Sequence, residues 1–200
     1  MKRLILFMAL IITVSFGWAQ KANEAKAILD KTAQKLNAKG GVKASFRLSG
    51  KMGSASGTIA VKGSKFHAST PSSVVWYDGK TQWTYMKNNE EVNVSTPTEA
   101  QQQAINPYKF IYLYKSGYTL GLSTVGANWQ VHLTATNKSR ALKELYITVD
   151  KNYQLKQVKM RQQSGWTTIS VSNIQKSNLS DSYFRFSSKD YPNAEVIDLR

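Results

Sequence analysis

Three observations predict a mainly β chain with added helix, of the α+β class, built as a long antiparallel meander that wraps into an open or partly closed barrel. First, apolar residues recur with period two from Val42 onward: Val42, Ala44, Phe46 and Leu48 alternate with Lys43, Ser45, Arg47 and Ser49. That period puts one face of a strand in a core and the other in water. Second, the stretch from Gly57 to Pro97 is broken into short β segments by Lys62-Gly63-Ser64, by Asp78-Gly79-Lys80-Thr81 and by Asn88-Asn89. Asp-Gly and Asn-Asn tolerate the left-handed backbone of tight turns, so these read as consecutive hairpins. Third, Ala25, Ile28, Leu29, Thr32, Ala33 and Leu36 form a single helical stripe.

The elements follow in order. Lys2 and Arg3 precede an uncharged run, Leu4 to Phe16, and Gly17-Trp18-Ala19 supplies small residues before a cleavage point. Residues 1–19 therefore read as a secretory signal cut after Ala19, because a spanning helix needs roughly 17–25 apolar residues. Residues 20–200 are expected to form one soluble domain with no linker or internal repeat. A helix over 23–38 ends at Gly40-Gly41, a strand follows from Val42, and Gly50 to Ser56 reads as a Gly/Ser turn before the hairpins. Thr98, after Pro97, caps a short polar helix to Ala104. Asn106-Pro107 starts a second short helix, Tyr108 to Tyr114, which carries Phe110, Ile111 and Leu113 and ends at Gly117. Alternation then resumes at Trp129-Val131-Leu133, Leu145-Ile147-Val149, Val158-Met160 and Ile169-Val171. Asp150-Lys151-Asn152 and Gln163-Ser164-Gly165 are the turns, and the chain closes with Tyr183-Phe184-Arg185-Phe186 and a tail from Tyr191 to Arg200.

The composition narrows the function. There is no Cys, so stability in an exported chain has to come from burial, and no lipoprotein-type acyl anchor is available. Without Lys2 and Arg3, 25 basic residues face 12 acidic ones, a net charge of +13 that favours acidic partners. Catalysis finds little support. His67 and His132 sit in alternating segments on the face opposite their apolar neighbours, and are expected to face solvent. No nucleophile elbow, Ser-x-x-Lys, metal-ligand cluster or phosphate-cradling loop occurs. Glu90-Glu91 lies beside a turn and reads as exposed. Trp83, Tyr85 and Lys87 could stack bases, but an exported chain rarely meets nucleic acid, so that partner is not expected. No enzyme, cofactor or metal is predicted. What remains is binding through the apolar and aromatic face of a curved sheet, with an ordinary closed core as the bland alternative.

Val42-Lys43-Ala44-Ser45-Phe46, Gly57-Thr58-Ile59-Ala60-Val61-Lys62, Phe66 and above all Tyr77-Asp78-Gly79-Lys80-Thr81-Gln82-Trp83-Thr84-Tyr85 resemble the periplasmic lipoprotein carriers of the LolA type. Ile28-Leu29-Asp30-Lys31, Asn106-Pro107-Tyr108 and Phe184-Arg185-Phe186 fall in family order, so the resemblance covers the mature chain. It implies an incomplete antiparallel β-barrel of about eleven strands, covered by an N-terminal helix and short lid helices. Its cavity would take the acyl chains of lipoproteins released by an inner-membrane ABC-type complex and carry them across the periplasm, as a monomer, to an unidentified outer-membrane acceptor. An envelope sensor or regulatory module of the same fold, binding a lipid or protein partner without transport, is the alternative. By position, lipid contact carries over to Leu29, Phe46, Leu48, Ile59, Val61, Phe66, Trp76, Trp83, Phe110, Ile111 and Leu113. One departure stands out. The better-known carriers have Arg-Pro after the Val-Lys of the second strand, and that Arg latches the lid; here Gly63-Ser64 follows Val61-Lys62.

Overall fold

The computed structural model describes residues 2–51, 53–98, 101–102, 112–162 and 165–200, with side chains from residue 19. Twelve strands form one open sheet: β1 (Val42–Gly50), β2 (Gly53–Lys62), β3 (Lys65–Ser69), β4 (Ser73–Tyr77), β5 (Gln82–Met86), β6 (Glu91–Ser95), β7 (Tyr118–Val125), β8 (Asn128–Ala135), β9 (Glu144–Val149), β10 (Leu155–Gln162), β11 (Gly165–Lys176) and β12 (Glu195–Asp198). Their spatial order is β12-β6-β5-β4-β3-β2-β1-β11-β10-β9-β8-β7. Two meanders, β1–β6 and β7–β11, are therefore joined by the antiparallel β1–β11 pair. β7 and β12 are left as the two edges, which is the incomplete barrel that the family resemblance implies.

Helix α1 (Lys2–Leu36) crosses one half of the concave face. It runs unbroken through the expected cleavage point and ends two residues before the expected position, with Asn37 N donating to Ala33 O (2.9 Å). Ala25, Ile28, Leu29 and Ala33 are buried against Val131, Leu133, Leu145, Ile147 and Val149 of β8 and β9. The predicted Thr98 cap is present. Gln101 N donates to Thr98 Oγ1 (3.3 Å) and Thr98 N donates to Gln101 Oε1 (2.8 Å), a reciprocal capping box. The second short helix expected at 108–114 lies outside the described residues until Tyr112, and Leu113–Lys115 is a 3-10 turn.

Two sequence expectations are corrected. Gly50–Ser56 is not a loop: β1 continues through Gly50 and β2 begins at Gly53, with Leu48 paired to Ala55 and Phe46 to Gly57. The Gly/Ser composition reflects small residues inside a strand. A Cβ on Gly57 would come within 1.9 Å of Ser69 O, so only Gly lets the β3 end pass this closely. The tail, moreover, is not simply a tail, because β12 adds in parallel to β6 at one edge of the sheet.

The Asp78-Gly79-Lys80-Thr81 turn owes its specificity to one carboxylate. Asp78 Oδ1 accepts from Lys80 N (3.0 Å) and Thr81 N (2.9 Å), while Gly79 sits at φ +104°, where a side chain is strained. Tyr77 OH donates to Gly79 O (2.8 Å), and Arg185 reaches Asp78 Oδ2 at 3.2 Å. Asp78→Ala is expected to cost about 1–2 kcal/mol, read as a lower urea midpoint at unchanged m-value. Asp78→Asn keeps an acceptor oxygen and should lose less; equal losses would contradict this account of the turn.

Candidate lipid-binding site

Strand register assigns every side chain to a face. On the concave face, Val42, Ala44, Phe46 and Leu48 of β1 stand opposite Val61, Ile59, Gly57 and Ala55 of β2. Phe66 and Ala68 of β3 and Tyr77 and Val75 of β4 continue the same face. Across β1 on the other side lie Val171 and Ile169 of β11. Beyond them come Val158 and Met160 of β10, which belong to the core under α1. Large side chains thus face small ones rung by rung: Phe46 opposite Gly57, Leu48 opposite Ala55, Ile59 opposite Ala44 and Ala68. Such pairing leaves room beside the small residue, and among the described residues Phe46, Leu48 and Ile59 are only half-buried on this apolar stretch of the concave face, the trough, outside the core that α1 covers.

The predicted contact residues separate into groups. Phe46, Leu48 and Ile59 are half-buried on the trough. Val61 and Phe66 are buried with Val42 and Tyr77 in a small cluster that closes one end of it. Leu29 is fully buried on the inner side of α1, and Leu113 packs against that same core. Phe110 and Ile111 lie outside the described residues. Trp76 and Trp83 pair with each other on the opposite, convex face, in register with His67 and with Val94. Parity decides this: Trp76 precedes the concave Tyr77, and Trp83 follows the concave Gln82. The resemblance lacks Ala68, Val75, Ile169 and Val171, which the register brings to the trough. The alternation Ile169-Val171 marks those two as sharing a face, but whether Phe46 shares it too depends on the β1–β11 pairing, a long-range contact with no local signal.

The convex face is also less wet than alternation predicts. Residues 179–191 strap across it. Leu179 and Phe184 are buried on Ala60, and Phe186 and Tyr191 pack edge-on against Trp76 at 5.6 and 5.4 Å. His67 does oppose Phe66 in facing, as the pattern requires, but it is enclosed by Tyr183 (4.9 Å) and Trp76 (5.5 Å) rather than free in solvent. Burial, and then the Lys43 charge, lowers its pKa. His132 stacks flat on Tyr146 (4.3 Å) and shares a 2.9 Å hydrogen bond with Glu144 Oε1. The Tyr146 hydroxyl, which donates to that carboxylate, lowers the Glu144 pKa more than any other group does.

Two tethers stand near the site. Tyr114, buried on α1, donates its hydroxyl to Asp30 Oδ1, tying the chain just after the 99–111 segment to the helix. Burial first, then the Asp30 carboxylate, pushes the Tyr114 pKa up. The second tether occupies the position of the missing Arg-Pro. Lys62 and Lys65, flanking Gly63-Ser64, hold Asp181 of the strap at 3.0 and 2.8 Å, and Lys62 Nζ also donates to Leu179 O (2.8 Å). The basic residues of this turn therefore hold the C-terminal strap.

An open half-barrel, antiparallel apart from β12, with a helix over half of its concave face and half-buried apolar residues on the rest has the architecture of a binding domain. A family model described as outer membrane lipoprotein carrier protein LolA matches residues 15–164, and the chain belongs to that family. None of the curated proteins compared matches this sequence. Among solved structures, an uncharacterized conserved protein from Thermus thermophilus aligns over 88% of this chain and 99% of its own, at 13% identity and a TM-score of 0.59. A LolA superfamily protein from Nitrosomonas europaea aligns over 81% and 97% (12% identity, TM-score 0.45). LprF from Mycobacterium bovis aligns over 80% and 98% (12% identity, TM-score 0.44).

Both tethers are testable. Tyr114→Phe removes the donor to Asp30 and should cost about 1–3 kcal/mol, with faster amide exchange over 112–118; unchanged exchange would contradict the latch. Lys65 and then Lys62 hold Asp181 down from the ordinary 3.8 to about 2. A carboxyl lowered in the folded state stabilises above its unfolded value and loses that contribution as pH falls towards the folded one. Protection of 179–186 should therefore hold at neutral pH and decline between about pH 4 and pH 2. In Asp181→Asn that acid step should vanish, and its persistence would show that another group anchors the strap.

Proposed function

We propose that this protein is a periplasmic carrier that holds the acyl chains of lipoproteins in the concave trough and moves them from the inner to the outer membrane. Residues 1–19 would direct export and be cut after Ala19 in the process, and loading would come from an ABC-type release complex. The observation that supports this reading is the pairing of Phe46 with Gly57 and of Leu48 with Ala55 on the part of the sheet that α1 leaves open. On this reading the chain performs no covalent chemistry; binding and release are its whole function.

Magnitudes fit a shuttle. Each methylene moved from water into an apolar site is worth about 0.8 kcal/mol, so a chain burying ~14 of them gains roughly 11 kcal/mol before ordering costs. That is tight enough to cross an aqueous compartment and too tight to release unaided. An acceptor that competes for the chains, or a segment that opens, is then required.

The test is uptake of acylated lipoprotein from membranes. Leu48→Asp places a charge on the trough beside the small Ala55 and should cut loading by at least about tenfold. Trp83→Phe, on the other face, should leave loading unchanged. Full loading of Leu48→Asp, with loss in Trp83→Phe, would overturn the assignment of the trough.

A further inference from the structure

The end of the half-barrel where α1 terminates carries a second feature, which adjoins the trough only through the Val42 cluster that closes it. By register this end holds the start of β1, the start of β10 and the last residue of β11, whereas Phe46 and Leu48 lie towards the opposite end. A groove of about 820 Å³ opens there. Its floor is apolar, with Leu36, Val42, Leu155 and Ile174, and its rim carries Lys31, Lys35, Lys39 and Lys176. No carboxylate among the described residues pairs with any of the four. Two acidic groups close to the rim in sequence are engaged elsewhere: Asp30 accepts from Tyr114, and Asp150 is held by Lys156 (3.2 Å) and by the amides of Asn152 and Gln154.

Beside the rim stand two aromatic rings. Tyr153 and Trp129 stack at 5.1 Å, with Lys31 Nζ 4.6 Å above the first and Lys151 Nζ 4.1 Å above the second. Lys31 Nζ also donates to the Tyr153 hydroxyl (3.1 Å).

Each part of this arrangement has a cost in water that an anionic bilayer removes. Lys31 and Lys35 are like charges at i, i+4 on one helical stripe, which is unfavourable without a counter-charge. Lysines whose stems lie over an apolar floor suit a boundary with water on one side and hydrocarbon on the other. Tyr and Trp rings settle at the headgroup level of membranes. A free phosphate would satisfy the lysines but neither the apolar floor nor the rings.

We propose that this end of the protein docks on an anionic phospholipid leaflet, with headgroup phosphodiesters held by Lys31, Lys35, Lys39 and Lys176 and with Tyr153 and Trp129 at the headgroup level. The surface is distinct from the trough, so docking and cargo loading are separable.

The experiment is co-sedimentation of the folded, processed chain with vesicles of phosphatidylcholine, with and without phosphatidylglycerol. The wild type should bind only the phosphatidylglycerol vesicles and release as salt rises. Lys35→Glu/Lys39→Glu/Lys176→Glu alters only side chains on the groove rim, so it should keep its circular dichroism and thermal midpoint, yet bind about a hundredfold more weakly. The matched variant Lys51→Glu/Lys138→Glu/Lys189→Glu, with the same change in net charge at exposed positions elsewhere, should lose less than about fivefold. Equal loss in the two variants would reduce the effect to net charge and overturn the site. So would undiminished binding of the groove variant, a wild type indifferent to phosphatidylglycerol, or displacement from vesicles by micromolar glycerol phosphate. Lipoprotein uptake measured on the same variants reads the carrier function separately: the groove variant, loaded by detergent-solubilised lipoprotein, should fill normally.

Discussion

β1 is the strand on which the architecture depends. It bonds β2 along one edge and β11 along the other, both antiparallel, and so joins the two meanders into a single sheet. Because side chains alternate with period two, the β1 register decides which residues of both meanders share the concave face. A slip of one residue against β11 would carry Val171 and Ile169 to the outside and bring Ser170 and Ser172 opposite Phe46 and Leu48. The pairing is also irregular at one point, with a bulge between Lys43 and Ser45 and Asn173 at φ +53°. That bulge lies near the end where the groove forms, and bulges of this kind increase the local twist of a strand.

Much of this is legible in the residues. The turns at Gly63-Ser64, at Asp78–Thr81 and at Asp150–Asn152 announce themselves through local chemistry, which needs no knowledge of distant contacts. The amphipathic stripe of α1 does the same. Three features are not legible, each for a non-local reason. Gly50–Ser56 looks like a loop because its small residues are judged alone, whereas in the sheet they face Phe46 and Leu48. Trp76 and Trp83 look like cavity residues because aromatic richness marks a face without saying which one. And the strap of 179–191, which dries the convex face, is separated from Trp76 by about a hundred residues, so no local pattern could pair Tyr191 with it.

The distribution of charge follows the same division of faces and ends. Lys62, Lys65, Lys156, Arg161 and Arg185 are engaged by carboxylates of this chain. The lysines at the α1 terminus are not, and they crowd around apolar surface. On the proposed reading, one end faces an anionic surface while Phe46, Leu48, Ile59, Ile169 and Val171 face apolar cargo.

The central claim is that the open part of the concave face exists to hold acyl chains. Native mass spectrometry of the protein purified gently from its own cell envelope tests it most directly. The account predicts discrete added masses matching diacyl or triacyl species, lost in Leu48→Asp. A preparation whose mass is that of the polypeptide alone, and which still takes up no acylated lipoprotein when mixed with loaded membranes, would contradict it.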